Sequence, residues 1–123
     1  SNSSKKFEND YWAVSIEELI MKISQNKIFD KESEDKIKIA FCGLEHKRTI
    51  AMLNNLGDFK FKFINYHHSD DFNYVMMTNR SQTSFTNDTL ENVKSCFKKF
   101  RGKNLVSVKR NGLILSTLRK INN

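Results

Sequence analysis

Near the end of the chain, Asn111-Gly112 stands between two β-rich runs, "NLVSVKR" and "LILSTLRKI". Asn-Gly is the pair best suited to the positive φ angles of a type I′ turn, whose twist matches that of the strands it joins. The chain is therefore expected to close with a β-hairpin, with Val106 and Leu115 in its two strands.

Upstream, helical and strand periods alternate. Ser15 followed by Glu18 has the spacing of a capping box, in which serine and glutamate oxygens satisfy the free N–H groups of a helix start. Ile16, Leu19, Ile20 and Ile23 then recur at helical spacing, predicting a helix from Ser15 to about Gln25 with one buried face. The polar stretch "NKIFDKESEDK" reads as a loop. "KIKIAFCG", Lys36 to Gly43, alternates and then turns wholly apolar, as a strand does on entering a covered sheet, and Gly43 ends it. Glu45 to Leu56 reads as a second helix, with Ile50, Met52, Leu53 and Leu56 apolar and Gly57 as its left-handed stop.

Phe59 to Tyr66 has the period of two expected of a strand, and Phe72 to Asn79 reads as a more buried one, with "HHSDD" in the loop between them. Asp88 with Glu91 repeats the capping spacing. Leu90, Val93, Phe97 and Phe100 then predict a third helix ending near Gly102. The order is helix, strand, helix, strand, strand, helix, hairpin. That pattern implies an α/β fold, about three helices packed on a sheet of about five strands, with no repeat and no internal linker.

At 123 residues there is room for one core and not for two. A content of 38% hydrophobic and 11% aromatic residues supports a packed globule, since disordered chains are poor in such residues. Ser1 and Asn2 read as the scar of a cleaved tag, and residues 3–123 as a single α/β domain taken from a longer protein. No stretch approaches the ~20 consecutive apolar residues of a membrane span, and no signal-peptide core stands near the start. The formal charge of +7 attracts phosphates of nucleic acid or lipid, although the basic residues are spread along the chain, as on a solvated surface.

The common phosphate, zinc and nucleophile motifs are absent. His67, His68, Asp70 and Asp71 could in principle offer nitrogen and oxygen ligands, but adjacent histidines on a short loop point apart, which favours a solvated turn. Cys42 could pair with His46 or His67 as a nucleophile, yet strand-end cysteines are usually buried and inert. Cys42 and Cys96 form no CxxC and are expected as two separate thiols packed as small hydrophobes, with a disulfide only in an oxidising compartment. Asn79-Arg80-Ser81 and Asn87-Asp88-Thr89 match a glycosylation acceptor, a pattern common by chance. No catalytic, cofactor-binding or metal-binding residue is assigned, and no cofactor is called for.

The opening stretch "FENDYWAVSIEELI" resembles the "ELDYWGLS…EAL" segment that follows the last membrane spans in polytopic glycosyltransferases related to dolichyl-phosphate-mannose protein mannosyltransferases. Asp10-Tyr11-Trp12 and Ser15 carry the likeness, with Ala13 where the family usually has glycine. It continues in outline through "KIKIAFCG", through "DFNYVMMTNR" where the family tends to have an "ADYVI" strand, and through the final strand–turn–strand.

The resemblance implies a many-span parent enzyme that transfers sugar from a polyprenyl-phosphate donor. This chain would be its soluble, non-catalytic C-terminal domain on the extracytoplasmic, periplasmic side. The family's catalytic acidic residue lies on an early loop between membrane helices, so no catalytic residue carries over. The implied partners are the membrane part of the same polypeptide, lipid head groups and a glycan acceptor. A Tyr11-Trp12 pair at that place could sit at head-group level or staple the first helix onto the sheet. The alternative is an independent basic module for RNA built on "KKFRGKNLVSVKRNG", against which Phe97 and Phe100 fall at core spacing, away from bases.

Overall fold

A computed structural model describes the backbone of residues 2–30, 35–80, 82–86, 89–93 and 95–122, and the side chains of residues 12–30, 35–80 and 95–122. The elements are α1 (Asn2–Gln25), β1 (Ile37–Cys42), α2 (His46–Asn54), β2 (Phe61–Ile64), β3 (Tyr74–Thr78), β4 (Gln82–Thr86), β5 (Thr89–Val93), α3 (Cys96–Lys99), β6 (Gly102–Arg110) and β7 (Leu113–Ile121). The fold is α/β, as the alternation of periods predicts. Its main sheet has five strands in the order β2-β1-β3-β7-β6, and β4 and β5 form a separate two-stranded ribbon. β1 runs parallel to both β2 and β3, whereas β7 is antiparallel to β3 and β6.

The terminal hairpin turns where Asn-Gly predicts. Arg110 pairs with Leu113, and the two residues between them take φ angles of 53° at Asn111 and 80° at Gly112. Glycine accepts such an angle without a Cβ clash.

Alternation along the strands sorts side chains onto two faces. Ile39, Phe41, Met76, Val106, Val108 and Leu118 join Ile16, Leu19, Ile20 and Ile23 of α1 and Leu53 of α2 in one large apolar cluster. Phe29 plugs its lower end, packing edge-on to Phe59, Phe61 and Tyr74 at centroid distances of 5.6, 5.7 and 5.2 Å. The opposite face holds a smaller cluster of Ala40, Cys42, Phe72, Val75, Met77 and Cys96, flanked by Tyr66, Phe97 and Phe100.

Three expectations need correction. Ser15 does not start a helix, because α1 is already helical from Asn2 and the backbone N–H groups a cap would serve have helical partners. Its buried hydroxyl instead meets that of Ser116 on β7 at 2.7 Å, while Glu18 reaches Arg110. Second, the described residues between 88 and 102 do not form one helix. Thr89–Val93 pairs antiparallel with Gln82–Thr86, Leu90 opposite Phe85, and among the described residues of this stretch only Cys96–Lys99 is helical. Asp88, the expected cap, lies outside the described residues. Third, Cys42 and Cys96 are not separate thiols but a disulfide, with Cα atoms 5.8 Å apart across a separation of 54 residues. The end of β1 and the start of α3 meet on the same face, which brings the two sulfurs together.

Candidate functional site

The three parallel strands β2, β1 and β3 end at the same edge of the sheet. From β1 the chain turns onto the α1 side and forms α2, whose Leu53 joins the large cluster. From β2 it turns the other way, laying Tyr66 and Phe72 on the smaller cluster. Where neighbouring strands send their connections to opposite faces, a crevice opens beyond their carboxyl ends, the usual ligand position in open α/β sheets. Here that crevice is a cavity of about 690 Å³. Five parts of the chain wall it, with Trp12 and Ile16 from α1, Gly43 to Glu45 after β1, His46 and Arg48 from α2, Asn65 to His67 after β2, and Thr78 and Arg80 at the end of β3.

Local chemistry fixes its floor. Gly43 takes φ 72°, and a Cβ there would come within 3.0 Å of Thr78 Oγ1 and 3.1 Å of Cys96 Sγ. Only glycine turns the chain so tightly at that point. The Thr78 hydroxyl donates to the Gly43 carbonyl at 2.5 Å, tying the ends of β3 and β1 together. The Tyr66 hydroxyl donates to the Cys42 sulfur at 3.7 Å, linking the end of β2 to the same point.

The polar groups of the rim are partly committed. Glu45 is the N-cap of α2, and its carboxylate accepts from the backbone N–H groups of Lys47 at 2.9 Å and Arg48 at 2.7 Å. The helix amino end, which elsewhere attracts phosphate, is thus already occupied by a carboxylate. The Arg48 guanidinium forms an ion pair with Glu17 of α1. His46 lies beside Phe41, ring centroids 5.5 Å apart, and His67 stacks against Tyr66 at 4.2 Å.

Cys42, His46 and His67, weighed from sequence as a nucleophile and its bases, do line one cavity. The Cys42 sulfur is bonded to Cys96, however, so it supplies no thiolate. His68, Asp70 and Asp71 lie exposed on the loop before β3, where Asp71 holds the Lys38 ammonium at 3.0 Å. Among the described residues no group of three or more His, Cys, Asp or Glu is placed to hold a metal ion. The arrangement suits non-covalent binding, with donors and acceptors around an aromatic wall.

Reading along the chain does not reveal this crevice. Trp12 draws attention as the sole tryptophan, but Asn65 and Thr78 carry no motif, Arg80 falls only within the Asn79-Arg80-Ser81 acceptor pattern, and all become neighbours only through the sheet order. Trp12 is half-buried and contributes to the crevice wall, and the side chain of Tyr11 lies outside the described residues. No protein-family model, no curated protein and no solved structure matches this chain.

Proposed function

We propose that this chain is the extracytoplasmic, non-catalytic C-terminal domain of a membrane glycosyltransferase that uses a polyprenyl-phosphate-linked sugar, and that it positions an acceptor or braces the membrane part. The observation that carries the reading is the Cys42–Cys96 disulfide. Such bonds persist in oxidising compartments and are rare in the cytosol. Both cysteines are buried, which suits a structural bridge.

Two further features support it. The helix that bears the Asp10-Tyr11-Trp12 signature is continuous and brings Trp12 to the crevice edge of the sheet. No described helix is long and apolar enough to cross a membrane, so the spans of this reading belong to the parent. The RNA alternative loses its stacking surface, because Phe100 packs edge-on to Tyr66 and Phe72 and Phe97 lies under the Arg119 guanidinium.

The test is made on the parent polypeptide in the cells that produce it. It should pellet with membranes, carry Cys42 and Cys96 oxidised, and transfer sugar from a polyprenyl-phosphate donor, whereas the purified chain should turn over no such donor. A parent recovered in the cytosol with reduced cysteines overturns the reading.

A further inference from the structure

We infer that the crevice beyond β1, β2 and β3 is a binding site for one pyranose ring of a phosphate-free sugar, with Trp12 as the wall on which the ring lies and Asn65, His67 and Arg80 as its hydrogen-bonding rim. The inference deepens the proposed function and rests on it for the source of the sugar, the acceptor glycan. The binding itself is argued from the crevice.

Position and size come first. A cavity of about 690 Å³ at the edge where the connections diverge lies within the usual range for ligand pockets of ~300–1,000 Å³. Charge then narrows the ligand class. In open α/β sheets a phosphate at this place sits on the amino end of the following helix. Here the Glu45 carboxylate already accepts from Lys47 N–H and Arg48 N–H, so a phosphate would meet a negative charge and find those donors taken. Arg48 is in turn held by Glu17. The usual phosphate seat of such a crevice, the helix amino end, is therefore already filled.

The remaining wall is mixed. Trp12 supplies a broad apolar surface, while Asn65 offers an amide, His67 an imidazole and Arg80 a guanidinium. Together these donate and accept at several points around one aromatic ring. A purely apolar ligand would take water from those polar groups and return no hydrogen bonds to them, at a cost in free energy. A pyranose has a face of C–H bonds for the aromatic wall and a rim of hydroxyls, each able to donate and accept.

The full 123-residue chain has a single tryptophan, so its emission reports on the crevice wall directly. Titration with glucose, mannose, galactose and N-acetylglucosamine should give a saturable change with at least one of them, with a Kd of about 1 mM, as befits a single small ring. The 1-phosphate of that sugar should bind no more tightly, and inorganic phosphate and adenosine should give no saturable change. Asn65→Ala and His67→Ala should each weaken binding at least tenfold while Lys62→Ala, on an exposed position of β2, leaves it unaltered.

Amide chemical-shift mapping of the unaltered chain with the same sugar guards against a variant that fails to fold, and should cluster at Gly43, Asn65 and Thr78. Absence of saturation by all four sugars, tighter binding of the 1-phosphate, saturation by phosphate or adenosine, or shifts clustered elsewhere would each overturn the inference. These titrations do not consult membrane attachment, so they can fail while the parent is found in the membrane, and the converse also holds.

Discussion

The two faces of the main sheet are built from the same strands and held by different means. On the α1 side, Ile39, Phe41, Met76 and Leu118 meet a helix that turns Ile16, Leu19, Ile20 and Ile23 toward them. On the other, the intervening Ala40, Cys42, Val75 and Met77 meet a four-residue helix and a loop. The first face carries the larger apolar cluster. The second is thin, and it is closed by a covalent bond and by Arg119, whose guanidinium donates to the carbonyls of Phe97 at 2.8 Å and Phe100 at 2.7 Å. A sheet can therefore distribute its stabilisation unequally, by burial where helices fit and by cross-links where they do not.

The sharpest break of that comparison is at Leu19, which is 0% exposed beneath α1. Leu19→Ala should destabilise the fold by about 2–5 kcal/mol, from lost transfer energy plus the cavity left behind. Denaturant unfolding monitored by circular dichroism measures it. A loss smaller than that caused by removing the disulfide would reverse the ranking of the two faces.

On the thin face, replacing Cys42 and Cys96 together by alanine should cost about 2–4 kcal/mol, since the bridge closes a long loop in the unfolded chain. The expected pattern is specific: α3 and the 65–73 loop should lose amide-exchange protection first, while α1 keeps it. Uniform loss over both faces would show that the bridge serves the whole fold.

Arg119 comes next. Burial lowers its guanidinium pKa, which is the mark of a charge drawn partly out of water, yet so strong a base stays protonated across the ordinary pH range. Its Nε also donates to Asn104 Oδ1 at 2.7 Å. Arg119→Ala deprives the two carbonyls of their donor and should cost about 1–3 kcal/mol, read from the same unfolding curves. A change within about 0.5 kcal/mol would mean that water replaces the guanidinium and that the latch is ornamental.

How much of this was legible from residues follows the same division. Strong local signals carried through. Asn111-Gly112 predicts the hairpin, and the apolar runs Lys36–Gly43 and Phe72–Asn79 predict two strands, because each signal is set by neighbours in sequence, whereas their parallel pairing is not. The errors arose where one spacing serves two structures. Ser15 and Glu18 stand three apart, as in a cap, but residues three apart also share one side of a continuous helix, and only the helical residues before Ser15 decide between them. Leu90 and Val93 fit a helix, yet cross-strand pairing with 82–86 overrides that weak period.

Phe29, inside a stretch whose polarity reads as loop, is buried because three aromatic side chains from β2, β3 and the segment before β2 converge on it. The candidate site lies furthest from sequence. Its residues come from α1, α2 and the ends of three strands, and neither the disulfide pairing nor the strand order that assembles them has a local signature.

The smallest expected effect lies one residue from the largest. Glu18 neighbours Leu19 on α1 but points to the rim of the helical face, where Arg110 donates to its carboxylate at 2.5 Å. That hydrogen bond is the main cause that lowers the Glu18 pKa from its ordinary 4.5; burial works against it, and the charges of Arg110 and Lys22 assist. A carboxyl whose pKa is lower folded than unfolded stabilises the fold above its unfolded value, and loses that contribution as pH falls through the folded one. The contribution should therefore be complete at neutral pH and fade below about pH 4.5. Glu18→Gln removes it, so the melting temperatures of the two proteins should converge as pH drops below that point. At pH 7 the difference should stay under about 1 kcal/mol, because water and salt screen a pair at the surface. Melting curves from pH 7 to pH 3, in low and high salt, measure both. A cost approaching that of Leu19→Ala would mean that rim charges, rather than the apolar layer beneath α1, hold the helical face to the sheet.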